Sequence, residues 1–271
     1  MHRPVAKFFR DRGPHLAAMI AYFALLSFVP LTFLALSLLG LAGRADEPSY
    51  LVTELKRIFP DTSVSAIVHA VRTVQRHAAA LGIVGAIALF WTSISLFSVL
   101  ESALNIVYGR PNRSFLRGKG LAVLLMIAML VTLFVGLLVG SVGFDVLKRY
   151  APGVVGSPVV AYMLSLFVSL VAVFAFLAAV YYLLTNVKLT FREVLPGALT
   201  AAVLLEASFQ VLPVYLRLSK ISIALQAFGG PAILLVWLYL MANAIVLGAE
   251  VNSCRRARRE AALQETAAGL A

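Results

Sequence analysis

The chain has 271 residues, 61% of them hydrophobic and only 13% charged, with one cysteine and a formal net charge of +11. Soluble domains sit at about 45–50% apolar and about 25% charged, so this composition excludes an ordinary soluble fold and makes lipid the natural solvent for the excess. The lone thiol, Cys254, excludes an intramolecular disulfide and a multi-cysteine metal site.

A basic start (Arg3, Lys7, Arg10, Arg12) leads into an apolar run over 16–43. Signal-peptide cores are only about 7–15 residues long, so an uncleaved first span is expected. Pro30 lies inside it and removes a backbone donor. The segment 44–78 is the one sizeable stretch expected outside the membrane. Val52, Leu55 and Phe59, then Val64, Ile67, Val68 and Val71, recur at helical spacing around Pro60. That pattern predicts two short amphipathic helices on the outer face, covering helix ends. Further apolar runs over 79–100, 121–144, 158–184, 194–216 and 227–251 each approach or exceed the roughly 20 residues that a bilayer core requires. The fold expected is therefore all-α: a single polytopic bundle of six transmembrane spans, followed by a basic tail over 252–271. Gly229-Gly230-Pro231 suggests an irregular start to the sixth span, and Gly136-x-x-x-Gly140 a close helix contact.

Orientation follows from Lys and Arg. With the N-terminus in the cytoplasm, fourteen of the 23 fall inside and nine outside. Both termini are expected in the cytoplasm. The basic residues Arg110, Arg113, Arg117, Lys119, Arg255 and Arg256 lie beside apolar spans. There they are read as binding anionic lipid rather than nucleic acid.

Acids within spans are costly and so are the first functional candidates. Glu101 and Glu250 lie at the inner ends of spans two and six. Glu206 lies twelve residues into span five, about 18 Å deep at the helical rise. Asn105 follows Glu101 by four residues, Gln210 follows Glu206 by four, and Asn243 precedes Glu250 by seven, so each pair shares a helix face. With Tyr22, these are the expected polar lining of an intrabundle cavity. Glu101 and Glu250 could equally serve structure by pairing with nearby arginines, whereas no Lys or Arg lies within a span near the depth of Glu206. The four histidines (His2, His15, His69, His77) have no metal-ligand spacing, and there is no phosphate loop or Ser–His–Asp arrangement. No catalytic residue, metal or cofactor is expected.

Several stretches together resemble the YihY/BrkB family of bacterial inner-membrane proteins, formerly labelled ribonuclease BN-like. They are Ala21-Tyr22-Phe23-Ala24-Leu25-Leu26-Ser27-Phe28-Val29-Pro30, Ala103-Leu104-Asn105, Leu195-Pro196-Gly197-Ala198, Trp237-Leu238-Tyr239 and Leu247-Gly248-Ala249-Glu250-Val251-Asn252. The resemblance covers roughly 8–256. It departs at Phe228, where the family commonly has Tyr before the glycine. It implies a multi-pass protein of the bacterial cytoplasmic membrane, described as a transporter. The function expected is movement or binding of an amphiphilic, lipid-like envelope substrate, with membrane lipids as partners and homo-oligomerisation left open. A structural protein that organises partners without transport is the alternative, and a membrane-bound nuclease a weaker one.

Overall fold

The computed structural model describes residues 3–41, 78–114, 116–125, 127, 158–218 and 223–268. Among them every regular element is a helix: α1 Pro4–Arg10, α2 Gly13–Leu41, α3 Ala78–Val107, α4 116–125, α5 Pro158–Leu184, α6 Phe191–Leu218 and α7 Ile223–Ala268. Long apolar runs become helices because hydrocarbon offers the backbone no hydrogen bonds, and a helix satisfies its own.

Among the described residues four stretches are long and apolar enough to cross a membrane: Ile83–Val107, Leu166–Leu184, Phe191–Val211 and Leu234–Thr266. They fall on the second, fourth, fifth and sixth expected spans. The first expected span coincides with α2, a single helix of 29 residues with Pro30 inside it. The third begins within α4 and continues outside the described residues, as does Gly136-x-x-x-Gly140. The external segment expected over 44–78 also lies outside them, except that Ala78 opens α3.

The irregular start expected at Gly229-Gly230-Pro231 is not found, because α7 runs helically through all three positions. A proline removes one donor without ending a helix whose flanking turns are held. The same helix of 46 residues continues into the basic tail as far as Ala268. Its arginines, alanines and glutamates are good helix formers, and Arg256 Nε pairs with Glu260 at 2.7 Å across one turn.

The described helices carry large apolar side chains on their outsides: Trp91 is 73% exposed, Ile87 67% and Phe167 64%. Contiguous apolar surface of this kind is unstable in water and is what lipid covers.

The chain forms two compact units, Met1–Ile20 with Phe97–Ser208 and Tyr239–Ala271, and Ala21–Leu96 with Phe209–Leu238. The first has a core of Leu104, Tyr181, Val194, Ala198, Ala201, Val246 and Ala249. Its tightest point is the approach of α6 to α7. A methyl at Gly197 would overlap the Gly248 carbonyl and the Asn252 amide, and one at Gly248 would meet Tyr181 Oη and Ala201 Cβ. Only a residue without Cβ fits at either position. In the second unit Ala21, Ser27, Leu89 and Ser93 are buried, and Phe209 meets Trp237 edge-on with centroids 5.1 Å apart.

Candidate functional site

The first unit concentrates its buried polar groups where helices end. α3 stops at Val107, and Gly109, in the left-handed region at φ 61, lets the chain turn so that Arg110 N donates to Asn105 O at 2.8 Å. The turn delivers Arg113 to the C-terminus of α5. There its guanidinium donates to the carbonyls of Leu183 (3.0 Å), Leu184 and Thr185 (2.7 Å). These are helix-end acceptors with no partner in their own helix. Arg113 Nη1 also reaches Glu101 Oε1 at 3.3 Å. Beside it, fully buried Asn105 accepts from Asn186 N at 2.7 Å and donates to Asn112 Oδ1 at 3.2 Å. Glu101, Asn105 and Arg113 thus belong to one network that fastens α3 to α5.

A second network gathers around Lys7. Its ammonium donates to Asp11 Oδ2 (2.6 Å), the Val107 carbonyl (2.7 Å) and Glu250 Oε2 (2.7 Å). All three N–H donors are thereby used. Glu250 has no exposed surface, and among the described residues its Oε1 has no hydrogen-bond partner. Ser253 Oγ donates to the same Val107 carbonyl at 3.2 Å. Sequence reasoning treated Lys7 only as an orienting charge and missed this role. The Lys7–Asp11 spacing of four was the available signal; the partner at 250 is 243 positions away. Next to this network, burial pushes the phenol pKa of Tyr108 above its ordinary range, so it stays a neutral hydroxyl.

A third set belongs to the α6–α7 crossing. Asn252 accepts from Gly197 N at 2.7 Å and donates to the Val194 carbonyl at 3.1 Å, while Tyr181 Oη donates to the Ile245 carbonyl at 2.6 Å. α6 begins with a capping box, in which Glu193 Oε2 accepts from Thr190 N at 2.8 Å.

The remaining candidates lie elsewhere. Glu206 is half-buried and accepts from Ser169 Oγ on α5 at 2.9 Å. Gln210 is exposed, as is Tyr22, and both belong to the second unit. Asn243 donates to the Tyr239 carbonyl of its own helix at 2.7 Å and lines a cleft of about 370 Å³. The cleft walls are Val5, Phe8 and Phe9 from α1, Leu204 and Ser208 from α6, and Leu240, Asn243, Ala244 and Leu247 from α7. Of the seven residues expected to line a cavity, Asn243 borders this cleft; Glu101, Asn105 and Glu250 are bound into the helix-end networks.

Among the basic candidates, Arg110, Arg117 and Arg255 are exposed. Lys119 donates to Ser98 Oγ at 2.9 Å, and Arg256 donates to the Lys188 carbonyl at 3.1 Å. Among the described residues no three His, Cys, Asp or Glu side chains come together to hold a metal ion.

The sequence profile of the family described as virulence factor BrkB matches residues 5–269. The chain belongs to that family. It is 28% identical over 257 residues to the ribonuclease-like protein YfkH of Bacillus subtilis, covering 92% of each chain. It is 26% identical over 251 residues to a UPF0761 membrane protein of Vibrio vulnificus, covering 92% of this chain and 80% of that one. A UPF0761 membrane protein of Rhodospirillum rubrum is 32% identical over 259 residues, 91% of this chain but 57% of that longer protein. No solved structure matches the chain. The BrkB-family profile spans all three polar networks and the cleft, so this is a membrane protein whose buried polar groups fall within the region matched by its family.

Proposed function

We propose that the protein binds an amphiphilic, lipid-like substrate within a bacterial cytoplasmic membrane, as a transporter or a lipid-binding protein, with both termini in the cytoplasm. The cleft between α1, α6 and α7 carries this reading. Its volume of about 370 Å³ falls within the roughly 300–1,000 Å³ of ligand pockets, which are mostly apolar with a few placed polar groups. Seven of its nine lining residues are apolar, and Ser208 and Asn243 supply the polar groups. Arg3 and Arg10, both exposed, flank the α1 wall and suit an anionic head group. Each basic residue near an anionic surface contributes about 1 kcal/mol. The inside excess of Lys and Arg, fourteen against nine, supports the orientation.

Native mass spectrometry of the purified protein tests this reading. Anionic phospholipid should be retained in preference to zwitterionic, and replacing Arg3 and Arg10 with Gln should weaken that retention. Protein that emerges free of lipid, or retention indifferent to both charges, would refute it.

A structural role without transport is favoured by a different observation: Glu101 and Glu250 each meet a base that also bonds the carbonyls at another helix's end. On that reading neither acid touches a substrate. A protein that co-purifies with stoichiometric partner proteins and no lipid would favour it.

A further inference from the structure

We infer that α1 is a strap that forms one movable wall of the cleft and is latched shut by the Lys7–Glu250 pair. Its use as a gate rests on the lipid reading above; the latch itself does not.

The seven residues of α1 are too few to hold a helix by themselves, since isolated helices shorter than about 12–15 residues are marginal. Tertiary contacts therefore decide where it lies. Val5, Phe8 and Phe9 line the cleft. On the same short helix, Lys7 reaches the end of α3 through the Val107 carbonyl and α7 through Glu250. Moving the wall therefore means breaking the latch. The connection to α2 is only Asp11 and Arg12, and Arg12 sits at φ 57, which disfavours any residue with a Cβ. The turn is thus the short, strained link about which α1 would swing. Phe8 opposes that movement, because its ring fills the space above Gly13 so closely that a methyl there would overlap it.

The latch is also incomplete at one end. Lys7 has its donors satisfied, whereas Glu250 Oε1 is buried without a partner among the described residues. Opening the strap strands the buried Glu250 carboxylate, so the latch holds α1 shut until another group takes the place of the Lys7 ammonium.

Paired nitroxide labels on the full chain test the latch. Cys254 is replaced by Ala, and labels are placed at exposed Ala6 on α1 and exposed Arg192 on α6. Distances are then measured by pulsed electron resonance in detergent. The parent and Lys7→Arg should give one narrow distribution. Lys7→Met and Glu250→Gln should each add a second population at longer distance. Unchanged distributions in both would overturn the latch. If either single variant fails to fold, the charge-reversed pair Lys7→Glu with Glu250→Lys decides the matter: a restored narrow distribution supports the pair, and a broad one overturns it. Lipid retained by the same samples separates the two ideas. A loosened α1 with unchanged lipid content supports the latch and counts against the cleft as the lipid site. Lost lipid beside an unmoved α1 overturns the latch alone.

Discussion

A carboxylate with no exposed surface persists only where other groups replace its lost hydration, and for Glu250 that group is Lys7 at 2.7 Å. Removing one member of a buried pair strands the other, typically at a cost of about 3–5 kcal/mol. Lys7→Met should therefore lower unfolding stability by about that amount. Lys7→Met combined with Glu250→Leu should recover most of the loss, since no fully buried carboxylate is then stranded and Asp11 keeps some exposure and Arg10 beside it. Equilibrium unfolding in mixed micelles measures both, and equal losses in the single and double variants would show that the charge was not the cause. Glu206 makes a different case. One of its contacts is the Ser169 hydroxyl, from which a glutamine oxygen can also accept. Glu206→Gln should fold and insert as the parent does; a loss of complementation in a deletion strain would then report the ionisable group itself. Depth and residue type made both acids legible in the sequence. Their partners were not, because Lys7 and Ser169 sit on other helices and no local spacing links them to 250 or 206.

The α6–α7 crossing shows why two of the sequence motifs have the composition they do. Leu195-Pro196-Gly197-Ala198 and Leu247-Gly248-Ala249-Glu250-Val251-Asn252 face each other through Gly197 and Gly248, with Asn252 bonded to Gly197 N and the Val194 carbonyl. Gly248→Ala should cost about 1–3 kcal/mol by overpacking. Asn252→Leu should cost a similar amount, about 1–3 kcal/mol, by leaving a buried donor and acceptor unmet. Thermal unfolding of the detergent-solubilised protein checks both, and neutral behaviour at Gly248 would mean that the helices do not approach this closely. At the end of α5, Arg113→Lys keeps the charge but loses the planar fork that meets three carbonyls. Hydrogen exchange over 181–185 should accelerate while the rest of α5 stays protected. The sequence marked these glycines only as parts of a resemblance. The close contact it suggested on physical grounds was at Gly136-x-x-x-Gly140, where small residues at helical spacing pointed to a helix face but could not name the helix opposite.

Apolar excess and run length made the helical membrane class and most element positions readable from the sequence. The sixth run differed because glycine and proline suggested a break that the helix passes through, and because helix-forming residues carry α7 far beyond the apolar stretch. The cleft was not readable, since it depends on α1 folding back through Asp11 and Arg12 so that Phe8 and Phe9 line it. For orientation, Ser65→Cys should react with an impermeant thiol reagent from outside intact spheroplasts. Arg110→Cys should react only after permeabilisation, and the reverse pattern would invert the topology. Native Cys254 is a poor reporter because it is only 4% exposed and would be protected from either side. The proposed lipid site is tested most directly by filling the cleft. Ser208→Phe places a ring in the cleft that Phe9, Leu204 and Leu240 also line, at a residue that belongs to neither the latch nor the glycine crossing. By native mass spectrometry the variant should keep the parent's fold but retain several-fold less anionic phospholipid. Equal retention by a folded, filled variant would contradict the assignment of the cleft.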